Sequence, residues 1–143
     1  MPLPPLYHVS RMNPSDHDQS LAAQRTIART IGVPVARRHI FLCCDQTKPK
    51  CCDRQASLIA WEHLKRRLAE LRLSDSGGIL RTKVNCFRIC EQGPIAVVYP
   101  EGAWYRLCTP ENLDRIIDQH LIAGRIVEDI LIIRRALPGD CGL

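Results

Sequence analysis

GPIAVVYPEGAWYRLCTPENL, residues 93–113, decides the fold. IAVVY (95–99) and WYRLC (104–108) are apolar runs with β-branched and aromatic side chains, and the PEGA between them has turn chemistry, so the stretch predicts a β-hairpin. A helix start follows at once. Thr109 is placed to cap it, Pro110 suits its first position and Glu111 lies near its positive end. Leu113, Ile116, Ile117 and Leu121 then fall on one helical face, and Gly124 is a stop. Residues 126–133, IVEDILII, are apolar enough to pack back on the domain or against a partner.

Upstream of the hairpin, HIFLC (39–43) and ILRTKV (79–84) read as strands. Between them, Leu58, Trp61, Leu64, Leu68 and Leu71 recur at spacings of three and four, which predicts a helix from about Gln55 to Leu73, ended by SDSGG. The order is β-α-β, then β-β-α. That is an α/β fold of thioredoxin-like type, a central mixed sheet with helices packed on it, because β-α-β crossovers are right-handed and the hairpin and last helix complete the layers. Residues 1–37 read as an extension. Pro2, Pro4 and Pro5 break its start, which is expected to be mobile, and residues 18–31 carry a thin apolar stripe at Leu21, Ile27 and Ile31 suited to one helix. The compact domain is expected over 38–135, and 136–143 form a tail.

Bulk properties narrow the function. The chain has 143 residues, 45% hydrophobic and 24% charged, which suits one domain with a moderate core. The net charge of +5 is too mild to propose a nucleic-acid partner, and no basic-aromatic stripe supports one. No apolar run approaches the roughly 20 residues that span a bilayer. The N-terminus lacks the pattern of a signal peptide, so a cytoplasmic location is expected. In that reducing compartment eight cysteines argue for metal binding or thiol chemistry rather than a disulfide framework.

Six of those cysteines lie in two loops. FLCCDQTKPKCCD (41–53) follows the first strand and holds Cys43, Cys44, Cys51 and Cys52; NCFRICEQGP (85–94) follows the second and holds Cys86 and Cys90. There is no C-x₂-C, which removes the zinc knuckle, the thioredoxin redox motif and the two-cluster ferredoxin run. What remains is a long-spaced pair joined with C-x₃-C. That pattern suits a metal site shared by two loops, scattered structural cysteines, or a cluster-free thiol switch. Cys108 reads as a buried small hydrophobe and Cys141 as an exposed thiol. Trp104 and Tyr105 read as packing residues, and His63 and His120 as structural or solvated.

HIFLC, a cysteine just before a long helix, the C-x₃-C-x₃-P of Cys86, Cys90 and Pro94, the YPEGAWY hairpin and HLIAGRIVEDILI (120–132) occur together. In this combination residues 38–133 resemble the thioredoxin-like [2Fe–2S] ferredoxins, a family related to the small iron–sulfur subunit of respiratory complex I and of some hydrogenases. The resemblance implies a [2Fe–2S] cluster held by Cys43, Cys52, Cys86 and Cys90, with Cys44 and Cys51 as alternative ligands. Strand alternation favours Cys43 over Cys44. It also implies a one-electron carrier without substrate turnover of its own. The alternative is a redox-sensing or regulatory subunit of a larger enzyme, docked through the N-terminal arm. Lys48, Lys50, Arg54, Lys83 and Arg88 outnumber Asp45, Asp53 and Glu91 around the loops, so the redox partner is expected to present an acidic face. Relatives of this fold often form homodimers, so a dimer is a further expectation.

Overall fold

The computed structural model describes residues 13–50 and 52–137. Cys51 and Cys141, and the expectations for residues 1–12 and for most of the C-terminal tail, lie outside the described residues. Five strands form one sheet: β1 (Arg38–Cys43), β2 (Ile79–Val84), β3 (Ala96–Tyr99), β4 (Ala103–Tyr105) and β5 (Leu131–Arg134), in the order β2-β1-β3-β4-β5. β1 and β2 run parallel and every other pair is antiparallel. The mixed β-α-β, β-β-α plan of the sequence is therefore present, with a fifth strand added at the edge.

The crossover helix α2 (Arg54–Glu70) forms because its apolar positions share one face. Ala60, Trp61, Leu64 and Leu68 are buried, and the Asp53 carboxylate caps the start by accepting from Ala56 N–H at 2.9 Å. It stops short of Leu73 because Arg72 takes a positive φ of 55°. α3 (Pro110–Arg115) starts as its sequence predicts, with Thr109 Oγ1 accepting from Asn112 N–H at 3.3 Å. It continues into a widened π-helical segment, Ile116–Ile122. These helices cover one face of the sheet. Ile40, Leu42, Cys44, Ile79, Ala96, Val98, Ala103 and Tyr105 point into them, and Leu113, Ile116, Ile117, Leu121, Val127 and Ile130 complete that core.

On the opposite face, register aligns Phe41, Val97, Trp104 and Ile133 across four strands. His39 stacks on Phe41 at 4.0 Å, and Phe87 of the second cysteine loop meets Trp104 edge to face at 5.2 Å. Two sequence expectations change here. The second hairpin strand ends at Tyr105, because Leu107 takes a positive φ of 51° and its N–H turns to Gln92 O at 2.9 Å. The IVEDILII segment packs back as β5 rather than as an undefined surface. β5 ends against the hairpin turn. Arg135 N–H bonds Gly102 O at 2.8 Å, and a Cβ at Gly102 (φ 66°) would overlap the Arg135 carbonyl, so only glycine fits.

α1 (Pro14–Thr30) starts earlier than the helix expected over 18–31, with Pro14 at its first position. It buries none of its side chains, and Leu21, Ile27 and Ile31 stay exposed.

Candidate metal centre

Both cysteine loops leave the sheet at the same end. β1 ends at Cys43 and β2 at Val84, side by side in the parallel register. The ladder runs on one step past them: Cys44 N–H bonds Val84 O at 2.9 Å and Cys43 N–H bonds Ile95 O at 3.0 Å. Asn85 then clasps the loops together. Its Oδ1 accepts from Thr47 N–H at 3.2 Å, and its Nδ2 donates to Thr47 Oγ1 at 2.8 Å.

Strand alternation separates the first cysteine pair as the sequence predicts. Cys44 follows Ile40 and Leu42 into the core, where it is 3% exposed. Burial pushes its thiol up from the usual value, only partly offset by the Lys83 charge. Cys43 faces the other way. Its Sγ accepts from Ile95 N–H at 3.1 Å, the amide that follows Gly93-Pro94, and lies 3.6 Å from Gln46 Nε2. Cys52 sits just before the α2 cap, and its Sγ lies 3.9 Å from the same amide nitrogen. One side chain thus bridges Cys43 and Cys52. In the second loop, Cys86 Sγ accepts from Arg88 N–H at 3.1 Å, where Arg88 has a positive φ of 65°. Cys86 and Cys90 are exposed and line a cleft of about 480 Å³ with Thr47, Lys48, Lys50, Asn85 and Arg88.

The donor set fits a binuclear iron–sulfur cluster. Cys43 and Cys52 from the first loop with Cys86 and Cys90 from the second would supply four thiolates, two for each iron. Two of them already receive backbone N–H groups, Cys43 from Ile95 and Cys86 from Arg88, the outer hydrogen bonds that orient and tune a ligand. Among the described residues, no three His, Cys, Asp or Glu side chains converge to hold one ion. Cys108, fully buried near Cys43, is a core thiol whose ionisation burial suppresses.

No protein-family model matches the chain. It is 30% identical over 107 residues to "Ferredoxin, 2Fe-2S" of Aquifex aeolicus, covering 71% of this chain and 95% of that one. It is 32% identical over 100 residues to "Ferredoxin, 2Fe-2S" of Clostridium pasteurianum, covering 67% and 96%. The solved thioredoxin-like [2Fe–2S] ferredoxin of Aquifex aeolicus superposes with a TM-score of 0.60 at 28% identity, covering 73% of this chain and 97% of that one. The chain belongs to the thioredoxin-like [2Fe–2S] ferredoxins.

In this ferredoxin the basic residues near the loops divide by position. Lys48, Lys50 and Arg88 line the cleft. Arg54 does not; its Nε and Nη2 bond Gln46 O at 3.1 and 2.7 Å, which fixes the first loop to the α2 start. Gln46 carries no sequence signal: it lies in a polar loop, yet it is buried. His120 is also fully buried, linked to Tyr105, Glu101 and Arg38 at the end of the sheet where β1 begins.

Proposed function

We propose that Cys43 and Cys52 hold one iron of the cluster and Cys86 and Cys90 the other, and that the exposed second pair is the side on which electrons enter and leave. The convergence of Cys43 and Cys52 on Gln46, with Cys86 and Cys90 in a cleft that Thr47, Lys48 and Lys50 of the first loop also line, carries this reading. Two solved variants of the Aquifex aeolicus relative support it: each replaces a cysteine by serine, at positions four apart, the spacing of Cys86 and Cys90. The ferredoxin carries single electrons, and the cluster supplies the one-electron couple. The chain's own part is to exclude water from Cys43, to aim Ile95 and Arg88 N–H groups at sulfur, and to present the rim. Such donors favour the more negative reduced state. The chain has no substrate turnover of its own in this reading. Residues 38–135 form the electron-carrying domain and 1–37 an extension, in keeping with an α1 that buries nothing.

The protein purified without oxygen should contain about two irons and two sulfides per chain, and on reduction a rhombic EPR signal of spin one-half. Zinc in place of iron would overturn the reading. Lys48, Lys50 and Arg88 around the exposed cysteines fit a partner with an acidic face. Binding to that partner should then weaken several-fold between about 0.05 and 0.3 M salt. Affinity unchanged across that range would count against it. The expected homodimer would use Phe41, Trp104 and Ile133, the residues still accessible on the sheet face opposite the helices, and sedimentation velocity of the holo-protein decides it. No helix of the described residues is long and apolar enough to cross a membrane. The cytoplasm, which keeps exposed thiols such as Cys86 and Cys90 reduced, is the proposed location.

A further inference from the structure

We infer that Gln46 is a positioning and tuning residue of the cluster: its side-chain amide donates to the sulfurs of Cys43 and Cys52 and raises the reduction potential. The inference rests on those two cysteines being ligands. Gln46 is 1% exposed, three residues after Cys43, in a loop whose neighbours Asp45, Thr47, Lys48 and Lys50 are exposed. A buried amide needs a partner at each end. At one end Ser57 Oγ, in the first turn of α2, bonds Gln46 Oε1 at 3.0 Å. Ser57 itself is held by Arg54 O at 2.8 Å and by Asp45 N–H at 3.2 Å. At the other end Nε2 lies 3.6 Å from Cys43 Sγ and 3.9 Å from Cys52 Sγ.

The direction of the amide follows from chemistry. A thiolate only accepts, so the NH₂ group and not the oxygen must face the sulfurs. Arg54 locks the Gln46 carbonyl with two bonds, so backbone and side chain are both fixed. The two N–H donors of one amide reach two ligands of the same iron. Reduction takes one electron from a low-potential partner, adds one negative charge to cluster and thiolates, and moves no proton and breaks no bond. A fixed donor on two of those sulfurs favours the more negative state.

The test uses the holo-protein. Gln46→Met keeps the length and removes the donor; Gln46→Glu keeps the acceptor for Ser57 and turns an oxygen on the sulfurs. Redox titration with viologen mediators, read by EPR, should show the reduction constant about tenfold lower in Gln46→Met, or ~59 mV more negative, and lower again in Gln46→Glu. Iron per chain is measured in both, and each potential is read on the cluster-loaded fraction. Protein labelled with ¹⁵N only in glutamine side chains should also show a ¹⁵N coupling to the reduced cluster, absent in Gln46→Met. That second readout decides the matter in wild-type protein if a variant loads poorly. Potentials within about twofold in equilibrium constant of wild type overturn the inference, as does a missing coupling. If Cys43→Ala and Cys52→Ala still hold a normal cluster, the ligand reading fails instead, so the two failures are told apart.

Discussion

Replacing any one of Cys43, Cys52, Cys86 or Cys90 by alanine should remove most of the bound iron, while Cys44→Ala, Cys51→Ala and Cys108→Ala should keep about two irons per chain. Alanine is chosen because serine leaves an oxygen that can still ligate. The expected loss exceeds tenfold, since disturbing even a hydrogen-bond partner of a ligand costs about 10–100-fold in affinity. The contrast within the doubled pair is the sharp part. Cys43 and Cys44 are adjacent, yet strand alternation turns one toward Ile95 N–H and Gln46 and the other into the hydrophobic core. Cys44→Ala should therefore cost about 1 kcal/mol of stability through a small cavity and leave the visible spectrum unchanged. Iron analysis with absorption spectra across the seven variants checks this. Retention of the cluster in Cys52→Ala with loss in Cys51→Ala would move the fourth ligand by one residue. Oxidised Cys43/Cys44 or Cys51/Cys52 pairs in protein without iron would favour the thiol switch.

The alternation that separates Cys43 from Cys44 is legible in HIFLC itself, because side chains in a strand have a period of two. The long α2 repeat and the TPE helix start are legible for the same kind of reason: local spacing and capping are local physics. β5 is not. IVEDILII has neither a helical nor an alternating pattern, and it becomes a strand because Trp104 and Ala103 offer it a free edge to pair with. The length of β4 is likewise set from outside, by the bond from Leu107 N–H to Gln92 O in the cysteine loop. Of the proposed site, the four cysteines could be named from motif and resemblance, but Gln46 could not. Its burial depends on Ser57 of α2 and on the sulfurs at both ends of its own loop folding onto it, and no local pattern records that.

His120→Leu should lower the stability of the protein by about 2–4 kcal/mol without moving the reduction potential. His120 sits in the widened turn of Ile116–Ile122, which aims a residue near a helix end inward. Its bonds leave one arrangement of protons. Val127 N–H donates to Tyr105 Oη at 3.2 Å, so the Tyr105 hydroxyl proton is available to His120 Nδ1 at 2.8 Å. His120 Nε2–H then donates to Glu101 Oε1 at 2.7 Å, which also accepts from Arg38 Nε at 2.6 Å. Leucine fills the space but strands the Tyr105 hydroxyl and takes a donor from Glu101, the costly way to break a buried network. The network ties the start of β1, the hairpin turn, the last helix and the approach to β5. Cys43 lies at the far end of β1, about 17 Å away along the strand, so the potential should stay put.

The same network sets a pH signature. Burial holds His120 below its usual value of 6.5, although Glu101 opposes the shift. Its contribution is complete above pH 6.5 and is lost as pH falls from there through the lowered folded value, because the unfolded chain takes up the proton first. Burial works to raise Glu101, but hydrogen bonds from Arg38 and His120 outweigh it and hold the carboxyl below 4.5. Its contribution is lost in turn as pH falls below 4.5. His39, also lowered by burial, titrates in the first window, so the useful quantity is the difference between wild type and His120→Leu. Urea unfolding should show that difference at full size at pH 8 and shrinking below pH 6.5, by at most about 1.4 kcal/mol per pH unit. A difference that stays constant from pH 8 to 5 would mean that folding leaves the proton affinity of His120 unchanged, and would overturn the reading of a buried, neutral imidazole.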